Sequence, residues 1–564
     1  MINNPCRTLS KVSVIFIGII ITIPIICGFL GFFLPSFNYQ PILGKGEFSL
    51  NYFYISMNIP GIYKSIILSI FTCLVSTILA LFFSQVILLY FFKTKFYNYI
   101  KIIISPLIAL PHITMAICLI FLLSPSGLLL RSISPWLTDF DRPPNSYIFP
   151  DEYGFFLILG LMLKEIPFLI LVSLSALREF SSTKFFDLGK SFQHSSFSSW
   201  FILIFPIIYK KIRLVVFIII AFSSSVVDMS LLLAPSTPST LSVRILQIFQ
   251  SSDMDSFFIA SNLSLIQLLI IIILLIFWIV LEKIIKQKYF YIFFIKITSF
   301  KLEFVKCVIL CFSIILFLLS FMGIISSILW GFSENWYFPN FFPNDLNISG
   351  FLNFYHQNQS IIFISIFIPL IVSLLSTSLT IIWVELLDYL NIKKTQFEWI
   401  IFIPLFIPQI SFLIGLQSFM IFLNYNSFLI SLIFVQLFYV IPYCFIILAP
   451  AMREVKSDYI KVASSLGKNR IGRLFKIKIP LVLPSLLTSF AIGMIVSFSL
   501  YLPVYFIGAG RVTTLTVEAL NLALSGSKQD LGIATFFQIF FPILLLIIIA
   551  FINRKTIKWK FNFN

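Results

Sequence analysis

The sequence predicts an all-α polytopic membrane protein with about twelve transmembrane helices, arranged as two tandem six-helix units. Of its 564 residues, 59% are hydrophobic and 11% are charged, and a soluble chain of this length cannot bury so much apolar surface. The apolar residues also fall into stretches that can cross a bilayer as helices, which requires about 20 residues per crossing. In addition, one basic loop occurs twice, once in each half of the chain.

Twelve apolar stretches are the candidate spans. The first is expected to be an uncleaved helix rather than a signal peptide, because its apolar run is long and no small-residue cleavage site follows it. The stretches cover residues 12–34, 64–92, 98–124, 154–177, 207–234, 257–281, 303–330, 360–390, 397–424, 427–450, 481–508 and 533–553.

The basic residues predict the orientation of these spans. With a cytoplasmic N-terminus, 31 of the 39 Lys and Arg residues fall on the cytoplasmic side and 6 on the other side. This asymmetry follows the positive-inside rule, so we expect a multi-pass inner-membrane protein with both termini in the cytoplasm. It also explains the net charge of +17 without nucleic acid, because cationic loops are retained beside anionic lipid.

The repeat is clearest around the basic loop. Residues 186–206 align without a gap on residues 460–480 at an offset of 274, which places Pro206 on Pro480. Further downstream, the same offset places a pair of serines from the first half on a pair from the second half: Ser223 and Ser225 on Ser497 and Ser499. Upstream the offset becomes 275 and aligns two Ile-Pro and two Arg-Glu dipeptides.

This register predicts a first unit at 1–285 and a second unit at 286–564. Their repeated loops cover about 180–206 and 454–480. Each loop is basic, is interrupted by a small residue and ends at a proline. That composition predicts two short helices with a tight bend, the second of which leads into a span.

The second loop resembles the EAA motif of binding-protein-dependent ABC importer permeases, whose pattern is E-A-A-x3-G-x9-I-x-L-P. The match rests on the third, glycine, hydrophobic and proline positions, here Ala463, Gly467, Ile477, Ile479 and Pro480. Lys461 and Val462 depart from the Glu and the first Ala of the motif.

The first loop is more degenerate. Asp187 stands near the Glu position, Gly189 replaces an Ala, Gln193 replaces the glycine, and Pro206 is retained. Small residues at 463 and 467, four positions apart, are expected to allow close approach to a partner or to a neighbouring helix. Gln193 removes that closeness from the first loop, so the two loops are expected to couple unequally.

The resemblance covers nearly the whole chain. It implies a type I ABC importer-like fold with both permease units fused, most similar to the thiamine and ferric-ion branch. It also implies that each loop carries a coupling helix that docks on one of two ABC ATPase subunits, and that a periplasmic binding protein delivers the solute. The chain itself then has no catalytic residue and binds no cofactor, and ATP is bound by the partner subunits.

Candidate pathway residues lie inside the spans. Ionisable residues there are costly unless they are paired or face water, and Asp228 stands close to Ser223 and Ser225. The competing interpretation of Asp228 is that its carboxylate reaches the outer membrane surface. Pro111 and Pro408 interrupt two spans at parallel positions, either to kink the pathway or as plain packing geometry. The predicted pathway set is Ser223, Ser225, Asp228, Ser497, Ser499, Pro111 and Pro408.

Other kinds of site are not supported by the sequence. Its three histidines are too scattered for a metal cluster. Gly189-Lys190-Ser191 resembles the end of a phosphate-binding loop, but Lys184 stands where that motif needs a glycine. No ATPase motif is therefore visible in the chain.

Two other classes of protein compete with the permease. An ion-coupled secondary transporter also suits twelve helices in two halves, with Glu165 and Asp228 as possible members of a relay. It does not explain the duplicated loop. A membrane-embedded enzyme requires a convergent polar cluster, which the sequence lacks. The solute (thiamine, iron or similar) cannot be chosen from the sequence.

Overall fold

The computed structural model describes residues 5–95, 99–145, 149–192, 194–294, 299–390, 395–422, 427–455 and 457–561. These residues form helices and connecting loops, with two isolated β-bridges and no strand among them. The predicted all-α polytopic class is confirmed.

The first half of the chain contains thirteen described α-helices. They are α1 (Pro5–Ser36), α2 (Asn51–Met57), α3 (Ile62–Phe91), α4 (Ile100–Ala109), α5 (His112–Leu123), α6 (Leu128–Ile133), α7 (Phe155–Arg178), α8 (Ser182–Ser191), α9 (Ser196–Ser199), α10 (Phe205–Ser225), α11 (Asp228–Leu233), α12 (Leu241–Phe249) and α13 (Met254–Phe294).

The second half contains twelve described α-helices. They are α14 (Ser299–Phe332), α15 (Ser349–Gln357), α16 (Gln359–Leu390), α17 (Thr395–Phe406), α18 (Gln409–Phe422), α19 (Phe428–Arg453), α20 (Ser457–Ser465), α21 (Arg470–Arg473), α22 (Ile479–Ser499), α23 (Leu502–Gly508), α24 (Leu515–Ser525) and α25 (Lys528–Phe561).

Ten spans within the described residues are long and apolar enough to cross a membrane, or eleven if α17 and α18 form one span bent by 103°. The remaining predicted span, 207–234, corresponds to α10 and α11. Helix α10 is 21 residues long and carries Lys210, Lys211 and Arg213 near its start. The chain leaves the helix at Val226, so this stretch is shorter and more charged than its hydropathy suggested.

Matched parts of the two halves have the same local structure. A single π-helical turn precedes a 21-residue helix in both, at Trp200–Ile204 before α10 and at Leu474–Lys478 before α22. The start of α12 is held by a hydrogen bond from Leu241 N–H to Ser69 Oγ (2.9 Å), and the start of α24 by one from Leu515 N–H to Ser365 Oγ (2.7 Å). The predicted boundary at 285/286 falls inside α13, and the division into two units stays a prediction.

The first long helix of each half packs against the other half. Helix α1 lies along α18, and α14 lies along α5. Glycines allow the backbones to approach: a Cβ at Gly31 would lie 2.4 Å from the carbonyl oxygen of Gly415, and one at Gly323 would lie 3.0 Å from that of Cys118. Such close contacts at small residues are typical of helix packing within membranes. Each half therefore contributes its first long helix to the packing of the other half.

Candidate functional site

A cavity of about 220 Å³ lies between the two halves of the chain. Helices α4, α5, α7, α10 and α11 contribute to its wall from the first half, and α17, α18, α19, α22 and α23 contribute from the second. The cavity thus lies among the helices that the sequence had singled out for proline breaks and polar residues.

A lysine stabilises the helix break on the first-half side of this cavity. Helix α4 ends at Ala109 and α5 begins at His112, with Leu110 and Pro111 in an extended conformation between them. The Lys164 ammonium donates to the carbonyl oxygens of Ile108 (2.9 Å), Leu107 (3.4 Å) and Leu110. An interrupted membrane helix needs such partners for its freed carbonyls. Lys164 therefore satisfies the end of α4, a role that sequence reasoning did not identify.

The two sides of the cavity differ in charge. The first half contributes Lys164, Glu165, Asp228 and His112 to the wall. Among its described residues, the second half contributes tyrosines and an amide and no Asp, Glu, Lys, Arg or His: the polar residues are Tyr439, Tyr443, Tyr501, Gln409 and Ser499. At the offset of 275, Tyr439 occupies the position of Lys164. The halves thus share a backbone plan but not the chemistry of this wall.

Three of the predicted pathway residues line the cavity, namely Ser225, Asp228 and Ser499. Ser225 and Ser499 occupy matched positions on α10 and α22. The Asp228 carboxylate accepts a hydrogen bond from the N–H of Met229 (2.9 Å), and the residue is half-buried in the cavity wall.

The other four predicted pathway residues lie beside the cavity rather than on its wall. Ser223 is buried, and Ser497 donates to Gln436 Oε1 (2.5 Å). Pro111 and Pro408 stand at the two helix breaks, and the residues on both sides of each proline line the cavity. Their role in a pathway stays a prediction.

Both repeated loops have the predicted pair of short helices joined by a tight bend. The second short helix of each is capped by a side chain, since Ser195 Oγ accepts from the N–H of Ser198 (3.1 Å) and Asn469 Oδ1 accepts from the N–H of Gly472 (2.8 Å). Ser195 and Asn469 lie at the offset of 274. Polar N-caps of this kind stabilise a helix start by about 1 kcal/mol.

Gly189 and Ala463 lie at matched positions of the two loops, and both are closely packed. Gly189 lies where α8 packs against α9, because a Cβ there would lie 2.5 Å from Ser199 Oγ. The matched Ala463 is 3% exposed, which agrees with the predicted close approach at this position. Gln193, the residue matched to Gly467, lies outside the described residues.

The expectation that Gly467 shares a helical face with Ala463 is wrong. Gly467 follows the end of α20 and has φ +73°, and a Cβ built there would contact nothing within 4 Å. The N–H of Lys468 then bonds to the carbonyl of Ala463 (3.0 Å). A glycine is required here for the left-handed backbone that ends the helix, and no described residue of the chain packs against it.

The remaining predicted loop residues have ordinary structural partners. Asp187 forms an ion pair with Lys93 (2.7 Å). Pro206 and Pro480 occupy the second position of α10 and α22, directly after the π-helical turn in each half. Ile477 is half-buried in the π-helical turn before α22.

Each loop also exposes a stripe of large apolar side chains. On α8 and just beyond it lie Phe185, Leu188 and Phe192, and at matched positions in the second loop lie Tyr459, Val462 and Leu466. These side chains are 38–72% exposed and follow the spacing i, i+3, i+7, which places them on one helix face. We call them the first and second apolar stripe. The sequence contains the signal for these stripes, namely large apolar residues at i, i+3 and i+7 in both loops, but the EAA motif concerns the small residues instead.

The two loops are attached to the helical bundle by different chemistry. In the second loop, Lys478 pairs with Glu385 (2.5 Å), and Arg470 also contacts this carboxylate (3.6 Å). In the first loop the buried contacts are apolar, with Trp200 5.3 Å from the Phe92 ring, and the Asp187–Lys93 ion pair lies at exposed side chains. Glu385 thus holds the second loop.

Comparison with known proteins supports a permease. Residues 387–557, which include the second loop, match the family model described as "Binding-protein-dependent transport system inner membrane component". The chain is also similar to the inner membrane ABC transporter permease protein YnjC of Escherichia coli (strain K12), with 24% identity over 451 residues, 79% of this chain and 80% of that protein. These matches, together with the apolar helices, support a multi-pass inner-membrane permease of the binding-protein-dependent ABC type.

Proposed function

We propose that the chain is the permease subunit of an ATP-binding cassette importer, with both permease units fused in one polypeptide. A small solute (thiamine, iron or similar) crosses between the two halves by alternating access. The observation that carries the proposal is the pair of loops, because both copies have the same fold and expose an apolar stripe at matched positions.

The stripes suit docking on a protein partner. Large apolar side chains on a short helix otherwise face water on the side where the positive-inside rule places these loops. In an importer, one ABC ATPase subunit covers each stripe, and ATP is bound and hydrolysed by those subunits rather than by this chain. A periplasmic binding protein delivers the solute on the opposite side, and both termini lie in the cytoplasm.

The position of the cavity supports alternating access. It lies between the halves, beside both helix breaks, and its wall draws helices from each half. A rigid-body motion of one half against the other around such a site opens it to alternate sides. The loops lead directly through π-helical turns into α10 and α22, two helices that form this wall. Closure of the ATPases would thus move the loops, and with them α10 and α22 in the cavity wall.

Loss of ATPase binding tests the proposal. We expect Leu466→Asp in the second stripe, and more so combined with Leu188→Asp in the first, to abolish co-purification of the co-expressed ABC ATPase. Both side chains are exposed, at 72% and 48%, so the chain should still fold and insert. The matched control is Leu524→Asp, which is 69% exposed on α24 and lies on the predicted outer side. Undiminished ATPase binding by the double variant would sink the proposal.

An ion-coupled secondary transporter is the second candidate, because the cavity wall contains the carboxylates Glu165 and Asp228. The two functions differ in their energy source. Uptake by inside-out and right-side-out vesicles that follows an imposed proton or sodium gradient and ignores ATP would favour the carrier. Uptake that requires ATP and persists when gradients are collapsed favours the importer.

A further inference from the structure

The charge and ring content of the central cavity point to its ligand. We propose that the cavity binds a small organic cation, held by the Glu165 and Asp228 carboxylates and by the tyrosine rings of the second half. This inference deepens the proposed function by naming the class of solute, and it rests on that function only for the step of transport.

The lysine in the wall does not neutralise both carboxylates. Three backbone carbonyls at the end of α4 use the three N–H donors of Lys164. Within the described residues, no side-chain or backbone donor bonds to the Glu165 carboxylate. The Glu165 side chain is buried, with 6% of the residue exposed. The Asp228 carboxylate receives only the N–H of Met229 from that part of the chain. Among the described residues, the wall therefore carries two acids against one ammonium, beside the imidazole of His112.

A buried carboxyl group that stays ionised needs a compensating cation, and without one it takes up a proton. A ligand cation can supply that charge, since helices of both halves form the wall around the acids. Its volume of about 220 Å³ is below the roughly 300–1,000 Å³ of pockets for drug-sized ligands, which indicates a small solute.

The second half of the wall suits an organic cation rather than a bare metal ion. Tyr439, Tyr443 and Tyr501 line the same cavity as the acids, and aromatic rings attract ammonium-type cations through their negative faces. The Tyr439 hydroxyl is buried without a hydrogen-bond partner among the described residues. No group of three or more His, Cys, Asp or Glu side chains in that same part of the chain could hold a metal ion.

Binding of matched probes to the full chain in lipid nanodiscs tests this inference. We expect benzyltrimethylammonium to bind measurably by isothermal titration calorimetry, and at least tenfold more tightly than its neutral carbon isostere (2,2-dimethylpropyl)benzene or the anion benzenesulfonate. Equal binding of the neutral isostere would show that the cavity recognises apolar surface and not positive charge. Preferred binding of the anion would assign the site to Lys164, and sodium binding without the organic cation would assign it to an inorganic ion. Each of these results would overturn the inference.

Variants locate the binding within the cavity. We expect Asp228→Asn and Glu165→Gln each to weaken binding of benzyltrimethylammonium by about tenfold, because each removes one of the two acids. The matched control is Glu152→Gln, an exposed acid in the outer loop, which should leave the affinity unchanged. Full retention of affinity in the Asp228→Asn and Glu165→Gln double variant would contradict the proposed site.

The comparison of the three probes on the unaltered chain does not depend on how the variants fold. It also separates this inference from the proposed function. The nanodisc experiment needs neither ATP nor a partner, so failed cation binding together with intact ATPase docking rejects only the cation site. Cation binding without ATPase docking rejects only the importer.

Discussion

Lys164 shows how one buried charge can serve the fold of a membrane protein. It lies inside a span, and its ammonium caps the end of α4 at the break near Pro111. Buried carbonyls that lose their partner cost about 1–3 kcal/mol each. The residue is therefore a structural requirement of the broken helix, beside whatever it contributes to the cavity.

Replacement of this lysine should destabilise the chain. We expect Lys164→Met to lower the free energy of unfolding by at least about 2 kcal/mol, because it leaves several carbonyls of α4 unpaired. Thermal unfolding of the purified protein in nanodiscs measures the change. Lys64→Met, at an exposed lysine of α3, is the control and should have a much smaller effect. Equal melting temperatures for both variants would contradict the capping role.

Gly467 is a second case in which one residue decides local structure. Its φ of +73° costs a non-glycine residue roughly 1–2 kcal/mol, and Asn tolerates this region better than a β-branched residue. We expect Gly467→Val to speed amide exchange of α20 by about 5- to 30-fold and Gly467→Asn to change it far less. Hydrogen–deuterium exchange with mass spectrometry measures both. Similar exchange rates in the two variants would show that the left-handed turn is not what the loop needs.

At the scale of the element, the two repeated loops solve one attachment problem in two ways. Lys478 and Glu385 form an ion pair with side chains only 10% and 15% exposed. At the offset of 274 the position matched to Lys478 is Ile204, which is buried. An apolar side chain in one half thus corresponds to a member of a salt bridge in the other.

This correspondence predicts a pattern of stabilities. Breaking a buried ion pair from one side costs about 3–5 kcal/mol, whereas replacing both members by apolar residues is often neutral. We expect Glu385→Leu and Lys478→Ile each to destabilise the chain strongly, and the double variant to recover most of the loss. Chemical unfolding monitored by tryptophan fluorescence measures all three. A double variant no more stable than either single variant would contradict the equivalence of the two attachments.

At the scale of the whole molecule, the halves are held together by the exchange of α1 and α14. Helix α1 lies along α18 and α14 along α5, so each half covers part of the other. Because lipid competes equally for apolar side chains, close backbone approach at small residues provides much of the stabilisation. Gly28 and Gly415 form the tightest part of this contact on one side, with Gly31 close by.

A bulky residue at that contact should separate the helices. We expect Gly415→Leu to destabilise the chain by about 1–3 kcal/mol or more, since the added side chain meets the backbone of α1. Gly46→Leu is the control, because a Cβ there contacts nothing within 4 Å. The measurement is the midpoint of unfolding in mixed micelles, and unchanged midpoints for both variants would refute this close contact.

Much of the architecture could be read from the sequence because it depends on local patterns. Runs of apolar residues predict spans, prolines predict the breaks at Pro111 and Pro408, and a gap-free repeat predicts that 186–206 and 460–480 fold alike. Basic residues in the loops predict the orientation of the spans. Each of these inferences needs only residues that are close together in the chain.

Only the tertiary structure decided which distant surfaces meet. Sequence spacing could not show that Lys164 reaches the carbonyls of α4, that Glu385 meets Lys478, or that α1 crosses to the other half. It also could not show that the acids of one half and the tyrosines of the other line one cavity. Hydropathy and helical period determine how each helix forms, but contacts between helices depend on side-chain fit across the bundle, which no local pattern encodes.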